Sequence, residues 1–328
     1  MVDLAKAQLE ASEQDLIVRT SQAYFDVLAA QDTLTFVVAQ KAAVAEQLAS
    51  AKRNFEVGTS TITDTREAQA RYDLVLAQEI AAENDLRVKK IALDQLVGKT
   101  ESRPKGLIQP PTLPPVLPDD VNAWVVQSES VHPSIRQAQS NVDIAELEVK
   151  KAEAGHKPTL DAVASYNVTR NPSGTATSPF GTRANTGSVG LQLNVPLFAG
   201  FSTQNRIRET LSLRDKASTD LEGARRSFAQ GTRTAFFGVV SGQGQGQVRA
   251  LEAAELSSQS ALDANRLGYQ VGVRINIDVL SSQSQLFQTK RDLAQARYNV
   301  LLGGLRLRQA NGTLSSADLL QINSLLTP

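Results

Sequence analysis

Residues 55–64 read FEVGTSTITD, and residues 269–278 read YQVGVRINID. Both segments place an aromatic residue before Val-Gly and an aspartate six positions after the glycine. Glycine often ends a helix in a left-handed backbone conformation, and an acidic residue in the first turn of the next helix is favoured by the helix dipole. The two segments therefore predict the same break between two helices in two distant parts of the chain.

Two long helices are predicted around the first break. Residues 2–56 contain no Pro or Gly, and a second helical segment covers residues 64–97 and ends at Gly98. Apolar residues in the first helix recur at steps of three and four, a period that predicts left-handed supercoiling against another helix. This seam, interrupted by Lys41, comprises Leu34, Val37, Val44, Leu48, Ala51 and Phe55. The tight break between the helices predicts an antiparallel hairpin.

Helices are also predicted on both sides of the second break, over residues 202–270 and 276–310. Its last helix carries Leu286, Leu293, Val300 and Leu307 at intervals of seven. Sliding the chain along itself until the two breaks coincide aligns 51–100 with 265–314 without a gap, which predicts two structural repeats. The identical pairs are Val57/Val271, Gly58/Gly272, Asp64/Asp278, Gln69/Gln283, Ala82/Ala296, Leu93/Leu307, Gln95/Gln309 and Gly98/Gly312.

Between the two breaks the periodicity changes from helix to strand. TLDAVASYNVT (159–169) and SVGLQLNVPL (188–197) alternate apolar and polar residues, which predicts two strands, each with one apolar face. Their length matches a tilted strand of a membrane barrel, but a hairpin of a soluble sheet would alternate equally well. The pattern alone favours neither. The polar residues 171–184 between them predict a long loop.

A proline-rich segment separates the two repeats. Residues 103–119 carry six of the twelve prolines, which predicts an extended linker. A helix is then expected to begin near His132 and Pro133 and to continue to Gly155, because proline is well accommodated in a first helical turn. A short amphipathic helix is expected after Gly312.

Composition argues against several classes of function. The 34 basic and 34 acidic residues cancel, so nothing in the charge balance favours a nucleic-acid partner. There is no cysteine, and the two histidines lie far apart in sequence, so we expect neither a metal nor a cofactor. SGQGQGQ (241–247) does not fit the dinucleotide-binding fingerprint and lies in no strand–helix–strand unit. No catalytic triad is apparent, so we do not expect an enzyme.

These segments together resemble the TolC-type outer-membrane export proteins of Gram-negative bacteria. The resemblance covers nearly the whole chain, and one departure is Phe201, where the family often has a second glycine after PLFxG. It rests on AYFDVL (23–28), FEVGTSTITD (55–64), HPSI (132–135), LQLNVPLFAG (191–200), YQVGVRINIDVL (269–280), ARYNVL (296–301) and NGTLSSADLLQIN (311–323).

The resemblance implies a mainly α fold in which long antiparallel coiled-coil hairpins form an α-barrel across the periplasm. It further implies a homotrimer whose β-hairpins share one barrel in contact with outer-membrane lipid. Family members normally supply four strands per subunit, whereas two are visible here, and six strands per trimer are fewer than the smallest membrane barrels have. By the repeat offset, roughly eighty residues should precede Met1. We therefore expect a chain that is shortened at its N-terminus or lacks one hairpin.

The predicted organisation has six segments. They are a first-repeat helical hairpin (1–100), a Pro-rich linker (101–120), a helix of the second repeat (121–158), a β-hairpin (159–200), a second-repeat helical hairpin (201–312) and a C-terminal tail (313–328).

Residue roles follow from the resemblance by position. The Val-Gly breaks are the turns on which a periplasmic adaptor (membrane fusion) protein docks, and the polar residues around them hold the periplasmic end closed. Asp278 falls where an acidic ring can line the closed entrance, but Ser281 takes the place of a second acid. The implied docking residues are Val57, Gly58, Val271 and Gly272, and the implied gate residues are Thr63 and Asp64 facing Tyr269 and Arg274, with Asp278.

Simpler explanations remain open for several of these residues. Tyr269 ends its seam and is also explained by packing. Gly58 and Gly272 are also explained as helix-ending glycines, and Asp64 and Asp278 as acids at helix starts. Arg274 is also explained as an exposed arginine in a turn. The function that the resemblance implies is a passive duct served by an adaptor and an inner-membrane pump. The alternative is a soluble coiled-coil scaffold that oligomerises without forming a pore.

Overall fold

The computed structural model describes residues 1–108, 114–172, 179–240 and 244–327, and confirms the predicted mainly helical fold with one β-hairpin. The predicted linker, the predicted β-hairpin loop and the SGQGQGQ segment each lie partly outside the described residues. The elements are α1 (Val2–Glu56), α2 (Ile62–Val97), α3 (Val121–Val131), α4 (Pro133–Ala154), β1 (Thr159–Asn171), β2 (Thr182–Asn194), α5 (Ser202–Val240), α6 (Gln245–Gln270), α7 (Asn276–Asn311) and α8 (Ser316–Asn323).

Helices of the two repeats begin and end at equivalent positions. Helices α2 and α7 are both 36 residues long, and the repeat alignment superimposes their first residues and their last residues. Each is followed by a glycine with positive φ, 65° at Gly98 and 83° at Gly312. These glycines end their helices in the left-handed region, as the sequence predicts.

The chain divides into two compact units. The smaller consists mainly of Gln137–Gly223, and the larger mainly of Leu4–Arg136 together with the residues from Ala224 onward. In the larger unit, α1 packs against α2, and α6 packs against α7. The predicted seam of α1 is buried at Val37, Val44, Leu48 and Ala51, which pack on Ala68 and Val75 of α2. The seam of α7 is buried at all four predicted positions.

Lys41, the charged residue that interrupts the apolar seam of α1, has a charged partner on α2. Its ammonium group donates to the Glu79 carboxylate of α2 at 2.6 Å. An ion pair in this position lets a charged residue occupy a seam without leaving a charge unpaired.

A further apolar cluster joins the helical hairpin of α1 and α2 to that of α6 and α7. It lies away from the turns that connect the two helices of each hairpin. Phe25 and Leu28 of α1 pack there with Tyr298 and Leu301 of α7, and α8 covers the cluster. The described start of the linker is not helical, and Leu107 forms a backbone bridge with Leu326 in the tail. Linker and tail therefore close over the same core.

The smaller unit contains an antiparallel hairpin of β1 and β2. Its apolar face brings Leu160 opposite Leu193 and Ala164 opposite Val189, and these side chains are exposed. The predicted bounds need correction: β1 extends to Asn171, and β2 begins at Thr182 and ends at Asn194. Pairing continues between these polar ends, whereas Pro196 has no N–H to contribute to a ladder.

The helix predicted to begin near His132 and Pro133 and to continue to Gly155 is observed as α4 (Pro133–Ala154). The region 121–158 also contains the separate helix α3, which ends because His132 precedes a proline and takes an extended backbone with ψ of 124°. The helix predicted over 202–270 is divided into α5 and α6, and the intervening Gly-rich sequence has low helix propensity. In the described helices, no 18-residue stretch is apolar enough to cross a membrane.

Candidate functional site at the two tips

The first tip, residues 57–61, connects α1 to α2. Gly58 has φ of 78°, and the Thr59 N–H donates to the Asn54 carbonyl at 2.8 Å, which closes the end of α1. A side chain at residue 58 would adopt this φ only with strain, so glycine is required for the backbone. Val57 beside it is 72% exposed although its side chain is apolar.

Asp64 ties the first tip to the start of α2. Its carboxylate accepts from the Ser60 hydroxyl at 2.6 Å, from the Thr61 N–H at 2.9 Å and from the Thr61 hydroxyl at 2.8 Å. The Thr61 hydroxyl in turn accepts from the Asp64 N–H at 3.2 Å, which completes a capping box. The hydrogen bond from Ser60, followed by that from Thr61, lowers the pKa of Asp64 below its usual value.

The second tip, residues 271–275, repeats the backbone but not the side chains. Gly272 also has φ of 78°. Asp278 accepts from the Ile275 N–H at 3.5 Å, but isoleucine offers no side-chain oxygen in return. Arg274 instead forms an exposed ion pair with Asp278 at 3.8 Å.

Gly268 leaves room for the Arg274 side chain to pack against α6. A Cβ atom at residue 268 would lie 2.6 Å from the Arg274 Cγ atom, so the arginine stem rests directly on the helix backbone. Any larger residue at 268 would displace this side chain.

The two tips line one crevice of about 550 Å³. Across it, the Asn54 side chain donates to the Tyr269 hydroxyl at 3.2 Å. Thr63 is exposed on the first turn of α2 and is not part of the lining. The lining residues are Ser50, Asn54, Thr59, Ser60, Asp64, Tyr269, Gln270, Gly272, Arg274, Ile275 and Asn276. Three of the implied gate residues, Asp64, Tyr269 and Arg274, therefore line one crevice. Their hydrogen bonds and ion pairs within the subunit go to other residues, Tyr269 pairing with Asn54 and Arg274 with Asp278.

Sequence reasoning missed Asn54 and Asn276, which connect the helices beside the two tips. Asn276 is the first residue of α7 and is 1% exposed. Its position in the repeat corresponds to Ile62, so the repeat alignment gives no signal for it. A buried asparagine at the start of a helix is recognised only once its partners are known.

The described residues hold no group of three or more His, Asp or Glu side chains that could bind a metal ion. His132 is buried, stacks on Phe228 with ring centroids 3.9 Å apart, and accepts from the Ser134 N–H at 3.1 Å. Burial lowers the pKa of His132 to about 4. It is therefore a neutral packing residue at the break between α3 and α4.

Comparison with known families supports the resemblance seen in the sequence. The sequence model of a family described as outer membrane efflux protein matches residues 1–99 and 124–313. The chain is 37% identical over 320 residues to outer membrane protein TolC of Vibrio cholerae, covering 98% of this chain and 73% of the relative. It is 35% identical over 327 residues to TolC of Escherichia coli, covering 97% and 65%. The chain thus spans about two thirds of the length of the second relative.

A secretion protein and two solved structures extend the comparison. Proteases secretion protein PrtF of Dickeya chrysanthemi is 31% identical, over 97% of this chain and 69% of its own. Outer membrane protein VceC of Vibrio cholerae superimposes with a TM-score of 0.73 at 19% identity, over 95% and 74% of the two chains. The open state of the Neisseria gonorrhoeae channel MtrE gives 0.72 at 18%, over 95% and 69%. At these identities the structures show a shared fold.

Proposed function

Because the chain belongs to the outer membrane efflux protein family, we propose that three copies form a passive export duct whose periplasmic end is gated by the two tips. Family membership makes the chain an outer-membrane channel protein for efflux or type I secretion, and not an enzyme. The non-channel scaffold is not favoured by any of these relatives. The trimer, the shared barrel, the gate and the partners are the further content of this proposal.

Strands β1 and β2 are proposed as this chain's contribution to the shared barrel in the outer membrane. Their apolar face is unburied within the subunit, with Val189 90% exposed. Apolar side chains in such a row lose their contact with water when they face lipid. This supports contact with outer-membrane lipid over a hairpin that stays in solvent.

The crevice between the tips is the observation that carries the proposed gate. It gathers an acid, an arginine and a tyrosine at the connection of both hairpins, where a movement of the helices changes their spacing. Thr63 lies next to Asp64 on the exposed surface and is proposed to contact a neighbouring subunit. Asp278, paired with Arg274 in the subunit, would line the entrance of the trimer as a single acidic ring.

Both tips are proposed to dock a periplasmic adaptor protein that couples the duct to an inner-membrane pump. Val57 and Val271 are exposed beside glycines that make compact turns. Exposed apolar residues at a turn are a suitable surface for a partner helix. The duct itself needs no catalytic residue, because the pump drives transport.

The gate is tested by single-channel conductance of the purified full-length protein in planar bilayers. Arg274→Ala removes the ion pair with Asp278, and Asp64→Ala removes the capping box, so each is expected to raise the closed-state conductance several-fold. Arg266→Ala is the matched control, because Arg266 is exposed on the same helix as Tyr269 but does not line the crevice. Unchanged conductance in both variants would leave Asp64 with a capping role alone and Arg274 as an exposed arginine in a turn.

A further inference from the structure

Asn276 connects three helices at the tips. Its side-chain carbonyl accepts from the Gln47 amide of α1, and its side-chain amide donates to the Asp64 carbonyl of α2 at 3.4 Å. Asn276 itself begins α7. A single side chain thus links the second tip to both helices of the first hairpin.

These hydrogen bonds do not serve the helix to which Asn276 belongs. An asparagine at a helix start commonly caps its own helix by accepting from a nearby backbone N–H. Both described partners of Asn276 are instead in the other hairpin, far away in sequence. The equivalent residue of the first repeat, Ile62, is 50% exposed. Capping and repeat symmetry therefore leave Asn276 unexplained.

Packing beside Asn276 gives α7 the same double attachment. Val279 packs with Leu262 of α6, inside the second hairpin. Leu280, the next residue, is fully buried among side chains of α1 and α2, including Val44 and Ala68. The start of α7 is thus held to its own hairpin on one side and to the first hairpin on the other.

The hydrogen bonds of Asn276, rather than the apolar contacts beside it, are the interactions that distinguish one placement of the tips from another. Apolar contacts tolerate sliding because they have no fixed direction, whereas the two hydrogen bonds of Asn276 require one placement of the tips. When the second tip moves away, polar groups of Asn276, Gln47 and Asp64 lose their partners in a partly buried contact before water replaces them. The link therefore favours the placement of the tips in which the crevice is intact.

We propose that Asn276 is a positioning residue of the gate: it holds the second tip against the first, and both of its hydrogen bonds must break before the tips separate. This inference rests on the proposed function as a gated duct. It assigns regulation of that gate to a buried link inside one subunit, in addition to the implied gate residues Asp64, Tyr269 and Arg274 of the same crevice.

The first test compares Asn276→Ala with the wild-type full-length protein by single-channel recording. Loss of two hydrogen bonds, each of modest net strength, is expected to raise the fraction of time spent open by roughly tenfold. Asn276→Asp keeps the acceptor for Gln47 but replaces the donor to the Asp64 backbone carbonyl with a carboxylate oxygen, so an increase is expected here too. Wild-type open fractions in both variants would overturn the proposal.

Asn311→Ala is the matched control for a purely structural effect. Asn311 is the last residue of α7, is 0% exposed, and donates to the Gln127 side chain at 3.1 Å. Its substitution removes a hydrogen bond at the opposite end of the same helix. It should therefore lower the thermal unfolding temperature and leave the open fraction unchanged. An equal rise in the open fraction for Asn311→Ala would show that any loosening of α7 opens the gate, and would overturn the specific role of Asn276.

A cross-link tests the closed placement of the tips by holding it covalently in place of the hydrogen bonds. The chain has no cysteine, so Gln47→Cys combined with Asn276→Cys creates a unique thiol pair that a short bifunctional reagent can bridge. The bridged channel should stay closed in the Arg274→Ala background. When the bridge is one that a reductant can cleave, its cleavage should restore opening. Opening with the bridge intact would overturn the proposal.

The two hypotheses fail in different ways. If neither the wild type nor any variant conducts, the proposed duct is wrong. If Arg274→Ala opens the channel while the Asn276 variants keep the wild-type open fraction and the bridged protein still opens, the duct stands and the role of Asn276 is wrong.

Discussion

At the residue scale, equivalent positions at the two tips have different interaction partners. Asp64 and Asp278 occupy the same position in the repeat, but Asp64 is enclosed by Ser60 and Thr61 whereas Asp278 faces Arg274. The first tip is therefore held by its own local hydrogen bonds. The second is held by an exposed ion pair and by the buried link of Asn276 to the other hairpin.

Acid is predicted to loosen the first tip. The folded pKa of Asp64 is lowered, so its stabilising contribution is fully present above the unfolded value of about 3.9 and is lost as pH falls through the folded pKa. Amide hydrogen exchange of residues 59–65, corrected for intrinsic rates, should accelerate below about pH 4. Asp64→Asn should remove most of this pH dependence. An unchanged acid response in Asp64→Asn would assign it to another group.

Sequence reasoning found the residues that shape the backbone and missed those that connect the tips. Gly58 and Gly272 were identifiable because positive φ is a local requirement that only glycine meets easily. Asn54 and Asn276 were not, because a polar side chain at a helix interface has no sequence signal until its partner in another helix is known.

At the element scale, the internal repeat is more exact in structure than in sequence. Helices α2 and α7 share both boundaries, although only eight pairs are identical in the aligned segments 51–100 and 265–314. Caps and seams are local patterns, and they were predicted well. The interruption between α5 and α6 and the separate helix α3 were not predicted, although the glycines of 241–247 and the proline at 133 mark both breaks in the sequence.

The Lys41–Glu79 pair is predicted to act as a unit between α1 and α2. Glu79 has a side chain that is 12% exposed, so Lys41→Met leaves its carboxylate poorly solvated and without its cation. Thermal unfolding of Lys41→Met should therefore occur at a lower temperature than in the wild type. The double variant Lys41→Met with Glu79→Leu should recover most of this loss, because it extends the apolar seam.

The comparison of these two variants decides between a coupled pair and two independent residues. If the double variant is less stable than Lys41→Met, the two side chains contribute separately. Arg19→Met, which disrupts an exposed pair with Asp15 on the same helix as Lys41, is the control and should change the unfolding temperature little.

At the scale of the whole molecule, family membership gives the chain its place as an outer-membrane channel protein. A single subunit exposes what a ring of subunits would use: apolar strand faces, exposed valines at both tips and a polar crevice between the hairpins. A heterologous ring closes when unlike surfaces of successive copies meet, which is how three asymmetric subunits would enclose a duct.

Single-channel conductance of the purified full-length protein in a planar bilayer is the most direct test of the gated duct. The wild type is predicted to give discrete conductance steps with a low open fraction, and Arg274→Ala to increase that fraction in the same trimer. A protein that forms trimers and inserts into the bilayer, yet passes no current as wild type or as Arg274→Ala, would contradict the duct.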